Sequence, residues 1–380
     1  MEAGGIPMHR AGKASGFIVI LCACVIVALA ARDFRAMNVV DSIFPGPGVT
    51  RSVPLSAYLP QLAGTPGDTQ VYIFDGQNRG GTILVLGGTH GDETAGYLAA
   101  VVLVEQARAQ MGRLIVVPRA NASGFTHDVA QEGHPQRMSI RTTHGTRMFT
   151  YGSRVTNPIH QWPDPQVYTL AASGQTLSGI ETRNLNRAYP GRPDGTLTER
   201  IACAITTLIR QEKVDLAIDL HEASPEYPVV NTIVAHERAL DLAALVNMNL
   251  QATGIAIGLE ASPSNLHGLS HREWGDATQT LAVLMETTNP AQGRLRGRTG
   301  ADLVTLGQDR FYARASKHNR LSVPFPDSGW PLDMRVARHL AGVAEFARCL
   351  GELWPEKSVV LNEVPEYQSM VNRGLGTFLR

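Results

Sequence analysis

Residues 82–110 read TILVLGGTHGDETAGYLAAVVLVEQARAQ, and the residue pattern changes twice along them. The apolar run Thr82–Leu86 is rich in β-branched residues and bounded by glycine pairs, which is typical of a strand. Gly87 and Gly88 then permit a turn, and the periodicity of Glu93–Gln110 predicts a helix. A strand that runs directly into a helix is the repeating unit of α/β folds.

The same alternation of apolar runs and helical stretches extends from about Ser56 onward. Further strands are predicted over Val71–Asp75, Leu114–Val117, Val214–Leu220, Val229–Val234 and Thr280–Met285. Helices are predicted over Glu237–Thr253, Met334–Leu353 and, after the capping box Thr196–Glu199, as far as Gln211. We therefore expect an α/β fold with a mixed, mostly parallel sheet sandwiched between helices.

The segment Asn121–Arg192 does not follow this alternation. It is rich in Gly, Pro, Thr and His and is only weakly periodic. Long segments without regular structure inside a compact domain usually carry function. We expect this segment to form part of a substrate pocket.

An apolar segment, GFIVILCACVIVALAA at Gly16–Ala31, precedes the α/β pattern. Basic residues flank it, and Ala28-Leu29-Ala30 is the A-x-A pattern of a signal-peptidase site. We predict a signal peptide or an N-terminal membrane anchor over residues 1–31, a linker over 32–55, a catalytic domain over 56–356 and a C-terminal tail over 357–380. The protein is then exported, to the periplasm or the extracellular space, or anchored to the membrane through this segment alone.

Composition limits the classes of function. The 380 residues carry 34 basic and 34 acidic side chains, so no excess of positive charge exists to bind nucleic acid. The apolar fraction of 43% excludes an intrinsically disordered chain. The chain has four cysteines, too few for a disulfide scaffold, and Cys203 and Cys349 are either paired or free.

The turn after the strand Thr82–Leu86 carries candidate metal ligands. His90 and Glu93 follow this strand at the edge of the sheet where α/β proteins bind ligands. A three-residue offset across a strand-to-helix turn can direct an imidazole and a carboxylate at one metal, and both are zinc ligands. Helix capping or a surface position is the alternative interpretation.

A third ligand is offered by His221, which ends the apolar strand Val214–Leu220. If this strand is parallel to Thr82–Leu86, His221 and His90 lie at the same edge of the sheet. Asp219 lies two residues earlier on the same face, where it can orient a ligand. His267 and His271 have helical spacing, but they lie in a loop without a companion carboxylate pattern.

Glu286 ends another apolar strand and is positioned to act as a general base. Glu222, next to His221, competes for this role, but strand alternation turns it away from its neighbour. Within the unusual segment, Asn186 and Arg187 can clamp a substrate carboxylate, because an arginine binds a carboxylate with two parallel hydrogen bonds.

Together these motifs resemble the succinylglutamate desuccinylase/aspartoacylase branch of the zinc carboxypeptidase superfamily. The resemblance rests on His90-Gly-Asp-Glu93, Asn184-Leu-Asn186-Arg187-Ala-Tyr-Pro-Gly191, Asp219-Leu-His221 and Glu286, and covers about residues 81–290. It implies a zinc carboxypeptidase-like fold and one zinc ion per chain. Asn184 stands where the family has an aspartate.

The resemblance also implies the role of each residue. His90, Glu93 and His221 are the expected zinc ligands, and Glu286 is the expected base for a zinc-activated water. Asn186 and Arg187 are expected to hold the free carboxylate of the substrate. The family uses a further arginine to polarise the scissile carbonyl, a role for which Arg147, Arg154 and Arg183 compete, with Arg183 slightly favoured.

The resulting hypothesis is a zinc-dependent hydrolase that cleaves an amide bond next to a free carboxylate, as an N-acyl-amino-acid deacylase does. Its partner is a small-molecule or peptide substrate with a free carboxylate. One alternative is an extracytoplasmic metallocarboxypeptidase that acts on peptides or cell-wall stem peptides. The other, from a different class, is a non-catalytic protein that binds carboxylates on the same fold.

Overall fold

The computed structural model describes residues 8–37, 39–128 and 134–380. Its strands, in chain order, are β1 (Arg51–Pro54), β2 (Gln70–Asp75), β3 (Asn78–Leu86), β4 (Arg108–Val117), β5 (Arg137–Thr142), β6 (Gly145–Thr150), β7 (Val167–Thr169), β8 (Thr176–Ser178), β9 (Leu216–Ala223), β10 (Thr232–Ala235), β11 (Gly258–Ala261), β12 (Leu281–Thr288) and β13 (Val360–Asn362). Its α-helices are α1 (Met8–Met37), α2 (Thr94–Gln106), α3 (Leu197–Gln211), α4 (Leu240–Ala252), α5 (Ser270–Ala277), α6 (Ala301–Leu306), α7 (Arg310–Lys317), α8 (Leu332–Leu353) and α9 (Tyr367–Arg373).

Within these ranges, nine strands form one mixed sheet in the order β1-β2-β4-β3-β9-β12-β10-β11, with β13 paired to β4. The central strands β4, β3, β9 and β12 are all parallel to one another. The strands toward either edge include the antiparallel pairs β1–β2, β2–β4 and β10–β12. The predicted α/β fold with a mixed, mostly parallel sheet is confirmed.

Helices cover both faces of the sheet because the side chains of each strand alternate between the two faces. Ile83 and Val85 of β3 pack in the core that contains α2, α4 and α8. Leu84 and Leu86 of the same strand pack in the second core, which contains α3. Cys203 on α3 and Cys349 on α8 belong to opposite layers and are free thiols.

Helix α2 is buried nearly along its whole length, which explains why its residues are apolar on every side. Gly96 lets this helix approach β9, since a Cβ atom here would lie 2.2 Å from the carbonyl oxygen of Leu220. The helix ends at Gln106, four residues before the predicted end. The reason is that Arg108 and Ala109 pair with β13, and this strand pairing overrides the local helical pattern.

The compact unit that contains the sheet spans Asp41–Arg380 and is larger than the predicted domain 56–356. Strand β1 comes from the predicted linker 32–55 and pairs with β2. Strand β13 comes from the predicted tail 357–380, and Leu375 and Leu379 from the same segment are buried in the core. The compact unit therefore extends beyond residues 56–356 at both ends, through short strands and isolated apolar residues that give weak sequence signals.

Helix α1 belongs to a separate unit, Met1–Val40. Its stretch Ala14–Ala36 has a mean hydropathy of 2.7 and is long enough to cross a membrane, a property that it shares with signal sequences. The signal peptide or anchor over residues 1–31 stays a prediction, and residues 1–7 lie outside the described ranges.

The unusual segment Asn121–Arg192 has more regular structure than its composition suggests. It contains the hairpins β5–β6 and β7–β8 together with short 3-10 helices, among them Gly179–Arg183 and Leu185–Arg187. The first of these two contains Arg183, and the second contains Asn186 and Arg187, the predicted carboxylate clamp. Residues 129–133 of this segment lie outside the described ranges.

Candidate metal centre

The sheet brings three of the predicted site residues to one edge. His90 lies in the turn after β3, while His221 and Glu286 lie near the carboxyl ends of β9 and β12. Because β3, β9 and β12 are adjacent and parallel, their ends meet at the same edge of the sheet. His221 and Glu286 are direct partners in the register of β9 with β12.

His90, Glu93 and His221 form a compact buried cluster. Nδ1 of His90 lies 2.7 Å from Oε1 of Glu93, and Nδ1 of His221 lies 2.8 Å from Oε2 of Glu93. The possible ligand atoms of these three residues all lie within 4.8 Å of one another. The ligand set predicted from the sequence thus converges on one point.

The outer nitrogen of each imidazole has its own polar neighbour. Nε2 of His90 lies 2.9 Å from the side-chain oxygen of Asn184. Nε2 of His221 lies 2.9 Å from Oδ2 of Asp219, whose Oδ1 accepts a hydrogen bond of 2.8 Å from Thr89. Metal-binding histidines usually have such a partner on the nitrogen that does not bind the metal. Both Nδ1 atoms are consequently oriented toward the centre of the cluster.

The charges around the cluster favour a cation. Burial and the nearby Arg154 lower the pKa of His90 to about 4, so its imidazole is neutral. Burial opposes a proton on His221, but the carboxylates of Asp219 and Glu93 outweigh it and raise the pKa of His221 well above its usual value. Glu93 is buried as well, yet the two imidazoles hold its pKa well below the usual range. Carboxylates that stabilise a proton on His221 also stabilise a metal cation in its place.

The donor set fits a catalytic zinc ion. Two imidazole nitrogens and one carboxylate oxygen are ligands that zinc prefers, and three protein ligands leave a fourth position for water or substrate. A neutral His90 and an ionised Glu93 are the protonation states that bind a metal.

Glu286 lines the same cavity as the three candidate ligands. Its Oε2 atom is buried, and no hydrogen bond to this atom is found among the described residues. Burial raises the pKa of Glu286 to about 8, and the negative charge of Glu93 adds to the shift. The Oε2 atom without a partner leaves Glu286 able to exchange a proton with a molecule in the cavity.

Glu222, the competing base, has both carboxylate oxygens engaged. Oε1 accepts a hydrogen bond of 2.5 Å from Arg335, and Oε2 accepts one of 2.8 Å from the backbone N–H of Ala95. Its own backbone N–H donates to Glu93 over 3.1 Å. The carboxylate of Glu222 is thus held by the surrounding fold, whereas Glu286 keeps an oxygen that can contact a ligand.

Arg183, which the sequence analysis favours for polarising the carbonyl, is turned away from the cluster. Its guanidinium donates to both oxygens of Asp164 over 2.7 and 2.9 Å and to the carbonyl of Thr156 over 2.7 Å. The side chain is therefore buried in an ion pair within the unusual segment. The preference for Arg183 stays a prediction, and these contacts engage its guanidinium along a loop path that the sequence pattern does not reveal.

Arg154 is the competing arginine that reaches the cavity. It is one of the residues that line it, and its Nη1 lies 3.3 Å from Oε1 of Glu93. Arg147 instead forms an ion pair of 2.8 Å with Glu105, near the C-terminal end of α2. Of the three competing arginines, Arg154 is thus the one that lines the cavity beside Glu93.

Asn186 and Arg187 line the cavity as the sequence predicts. The side-chain oxygen of Asn186 accepts a hydrogen bond of 2.8 Å from the backbone N–H of Ser270, which leaves its NH₂ group as the donor for a ligand. Nη1 of Arg187 donates to the carbonyl of Asn186 over 2.7 Å, and Glu181 lies 3.9 Å from Nε. This arrangement holds the guanidinium at the cavity wall.

The cavity has a volume of about 370 Å³. Tyr227 and His271 also line it, although the sequence pattern does not predict them as pocket residues. Tyr227 follows β9 by four residues, and His271 lies at the start of α5. The position of Tyr227 shortly after the end of a strand was the sequence feature that could have indicated a pocket residue. His271 does not share a site with His267, since His271 contacts Ser262 over 2.8 Å and His267 contacts Glu273 over 2.9 Å.

A second cluster of metal-ligand residue types, His236, Glu237 and Asp276, already holds a cation. The guanidinium of Arg272 donates to Asp276 over 2.8 Å and contacts the imidazole of His236. This cluster is therefore an ion-pair network around Arg272.

The comparisons with known proteins agree with this site. The family model for the succinylglutamate desuccinylase/aspartoacylase catalytic domain matches residues 170–287, which include Asn186, Arg187, His221 and Glu286. The N-alpha-acetyl-L-2,4-diaminobutyric acid deacetylase of Halomonas elongata is 26% identical over 162 residues, which are 42% of this chain and 34% of the deacetylase.

Two solved structures are also similar to this chain. A succinylglutamate desuccinylase from Silicibacter sp. has 21% identity and a TM-score of 0.37, over 60% of this chain and 55% of that one. The tripeptide-bound cell shape determinant Csd4 of Helicobacter pylori has 12% identity and a TM-score of 0.46, over 80% of this chain and 59% of that one.

This chain thus spans about a third of the curated relative and somewhat more than half of the first solved structure. Residues 170–287 of this chain are thus similar to the succinylglutamate desuccinylase/aspartoacylase catalytic domain.

Proposed function

We propose that the protein is a zinc-dependent hydrolase that cleaves the amide bond of an N-acylated amino acid next to its free carboxylate. The observation that carries this proposal is the single cavity that the ligand cluster, Glu286, Arg154 and Arg187 all line. The matched catalytic domain and the deacetylase relative support the same class of reaction.

His90, Glu93 and His221 would hold one zinc ion through two Nδ1 atoms and a carboxylate. Zinc bound there supplies Lewis acidity, which polarises the scissile carbonyl and makes water reactive at neutral pH. Glu286 takes a proton from the attacking water at a carboxylate oxygen and passes it to the nitrogen of the departing amine. Burial disfavours the ionised form of Glu286, and a zinc ion held by the three ligands would favour it.

Arg154 stabilises the negative charge that develops on the carbonyl oxygen during attack. Its side chain reaches to within 3.3 Å of Glu93, so its guanidinium lies beside the reacting centre. A fixed cation in a buried cavity needs little reorganisation when charge develops, which is why such groups contribute strongly to catalysis.

Arg187 and the NH₂ group of Asn186 hold the free carboxylate of the substrate. Burial and the neighbouring Arg154 lower the pKa of Arg187, so an anion that binds there relieves the repulsion between two cations. The clamp thereby fixes the distance between the carboxylate and the scissile amide.

The first test measures the metal and the reaction together. The purified full-length protein in detergent should contain about one zinc per chain, and chelation should abolish hydrolysis of N-acyl amino acids until zinc is restored. Activity that persists in metal-free protein would contradict the proposal. Binding of zinc and carboxylates without turnover of any amide would identify a non-catalytic binding protein instead.

The second test examines the clamp. Arg187→Ala should chiefly raise KM for substrates with a free carboxylate, because the lost contact binds the ground state and the transition state alike. Equal activity of the unmodified protein on carboxyl-amidated substrates would exclude the clamp role.

A second candidate function is a metallocarboxypeptidase that acts on peptides outside the cytoplasm. The apolar stretch Ala14–Ala36 favours it, since an exported or membrane-anchored enzyme meets cell-wall peptides more readily than intermediates of amino-acid breakdown. Cell fractionation and N-terminal sequencing of the purified protein distinguish an anchor from a cleaved signal. Release of a C-terminal amino acid from short peptides faster than from N-acyl amino acids would favour the carboxypeptidase.

A further inference from the structure

The cavity continues past Glu286 over an apolar floor. Leu284 precedes Glu286 by two residues on β12 and therefore faces the same side of the sheet. Val234 on β10 is the direct register partner of Leu284. Both residues line the cavity, and their side chains are nearly buried, with 5% of Val234 and 2% of Leu284 exposed. They therefore form a continuous apolar surface next to the base.

The walls above this floor are apolar too. Val229, Pro263, Leu266 and Leu269 line the cavity. The polar side chains of Tyr227 and His271 line the cavity as well, and Nδ1 of His271 is engaged with Ser262. Burial and the neighbouring His221 lower the pKa of His271 to about 3, so its imidazole carries no charge near neutral pH.

The carboxylate clamp lies beside this apolar region. The backbone N–H of Ser270 bonds to Asn186 and directly follows Leu269 in the wall. The zinc ligands lie on the other side of Glu286, toward β9 and β3. An amino acid whose carboxylate binds Arg187 and whose nitrogen faces Glu286 therefore directs its side chain onto Val234 and Leu284.

The cations of the cavity are already assigned to other groups of the substrate. Among the described residues that line it, guanidinium groups belong to Arg154 and Arg187. The first faces the scissile carbonyl and the second the α-carboxylate, which leaves no cation for a second carboxylate. An aspartate or glutamate side chain on this floor would lose its hydration without gaining a partner, which is strongly unfavourable.

Resting on the proposed function, we infer that the amino acid released by the reaction carries an apolar side chain, such as that of leucine, valine or methionine. This side chain binds between the Val234–Leu284 floor and the Leu269 wall. Each methylene group that it buries should improve binding by about fourfold. The preferred substrate is then an N-acylated apolar amino acid, or a peptide that ends in one.

The test compares apolar with acidic substrates and products on the zinc-loaded full-length protein. We expect kcat/KM for N-acetyl-L-leucine to exceed that for N-acetyl-L-aspartate by at least about tenfold, as the burial of several methylene groups predicts. L-leucine should also bind more tightly than L-aspartate in calorimetry, a measurement that requires no turnover. Leucine-selective binding without hydrolysis would contradict the proposed function and support the apolar subsite. Faster hydrolysis of the aspartate substrate would overturn the subsite and leave the hydrolase intact.

Two variants locate the subsite. Val234→Lys adds a cation to the floor and should shift the preference toward the aspartate substrate, whereas Met248→Lys on the exposed face of α4 should leave the preference unchanged. Val234→Ala is the milder variant if the lysine prevents folding. It should lower kcat/KM for N-acetyl-L-leucine more than for N-acetylglycine, which has no side chain to bind on the floor. Equal losses on both substrates would overturn the inference.

Discussion

Nε2 of His90 lies 2.9 Å from the side-chain oxygen of Asn184, and the NH₂ group of Asn184 donates to Glu181 over 2.7 Å. The second bond fixes which end of the amide faces the histidine. Where the family has an aspartate, this chain therefore has the neutral amide oxygen of Asn184 as the acceptor. The carboxylate of Glu181 is hydrogen-bonded to the other end of that amide. Glu181 supplies the negative charge that supports His90 through Asn184.

The first prediction concerns zinc affinity. Asn184→Ala should weaken zinc binding by about 10- to 100-fold, because the partner of a ligating histidine orients the ring and raises its basicity. Competition with a chromogenic chelator measures the change. Asn372→Ala, at an exposed position on α9, is the matched control and should bind zinc as the unmodified protein does.

Replacing Asn184 with the aspartate of the family should not by itself raise the zinc affinity. Asn184→Asp would bring a second carboxylate against Glu181, where the present contact is 2.7 Å, and like charges at this distance repel. Adding Glu181→Gln removes the repulsion, so the two changes should be strongly non-additive in zinc affinity. Strictly additive effects would show that Glu181 does not act through Asn184.

The second prediction concerns the base. Glu286→Gln should retain zinc, because Glu286 lies outside the ligand cluster, but should lose about 10²- to 10⁴-fold in kcat. Glu260→Gln, at an exposed position on β11, is the control. Zinc analysis beside steady-state kinetics separates loss of the metal from loss of the proton acceptor. A zinc-loaded variant with a near-normal rate would assign the proton transfer to another group.

The fold class and the edge of the sheet that carries the site were predictable because they depend on strand ends. His90, His221 and Glu286 each follow or end an apolar run, and parallel strands bring such ends together. The direction of Arg183 was not predictable, because it is determined by an ion pair with Asp164 inside an irregular loop. A guanidinium reaches far from its backbone, so sequence position constrains it less than it constrains a histidine at a strand end.

The limits of the compact unit were not predictable for a different reason. Strand β13 has three residues, and its sequence carries no period that a local pattern can detect. Its formation depends on the free edge that residues 108–111 of β4 offer to a distant segment. Such long-range pairing also ended α2 earlier than its apolar periodicity predicts.

The third prediction separates two arginines. Arg154→Gln should lower kcat by about 10²- to 10³-fold at saturating zinc, which is the usual effect of removing a group that stabilises the developing charge. Arg183→Gln should instead lower the melting temperature, because Asp164 and the Thr156 carbonyl lose their donor. The folded, zinc-loaded fraction of Arg183→Gln should keep its kcat. The reverse pattern would restore Arg183 to the role for which the sequence favoured it.

The fourth prediction concerns stability in acid. Burial, with a smaller effect of Arg183, lowers the pKa of His127 to about 4, and no partner for its Nδ1 is found within the described residues. In the unfolded chain the pKa of a histidine is about 6.5, so between these values the unfolded state binds a proton that the folded state does not. The contribution of His127 to stability is therefore complete above about pH 6.5 and declines as the pH falls toward 4.

His127→Gln removes this group and should reduce the fall in melting temperature between about pH 7.5 and about pH 5. His318→Gln, at an exposed position after α7, should leave that difference as it is in the unmodified protein. Calorimetry of the three proteins at both pH values makes the comparison, with zinc saturating throughout so that metal loss does not contribute. An unchanged acid sensitivity in His127→Gln would mean that this imidazole is hydrated, because a solvated ring titrates alike in the folded and unfolded chain.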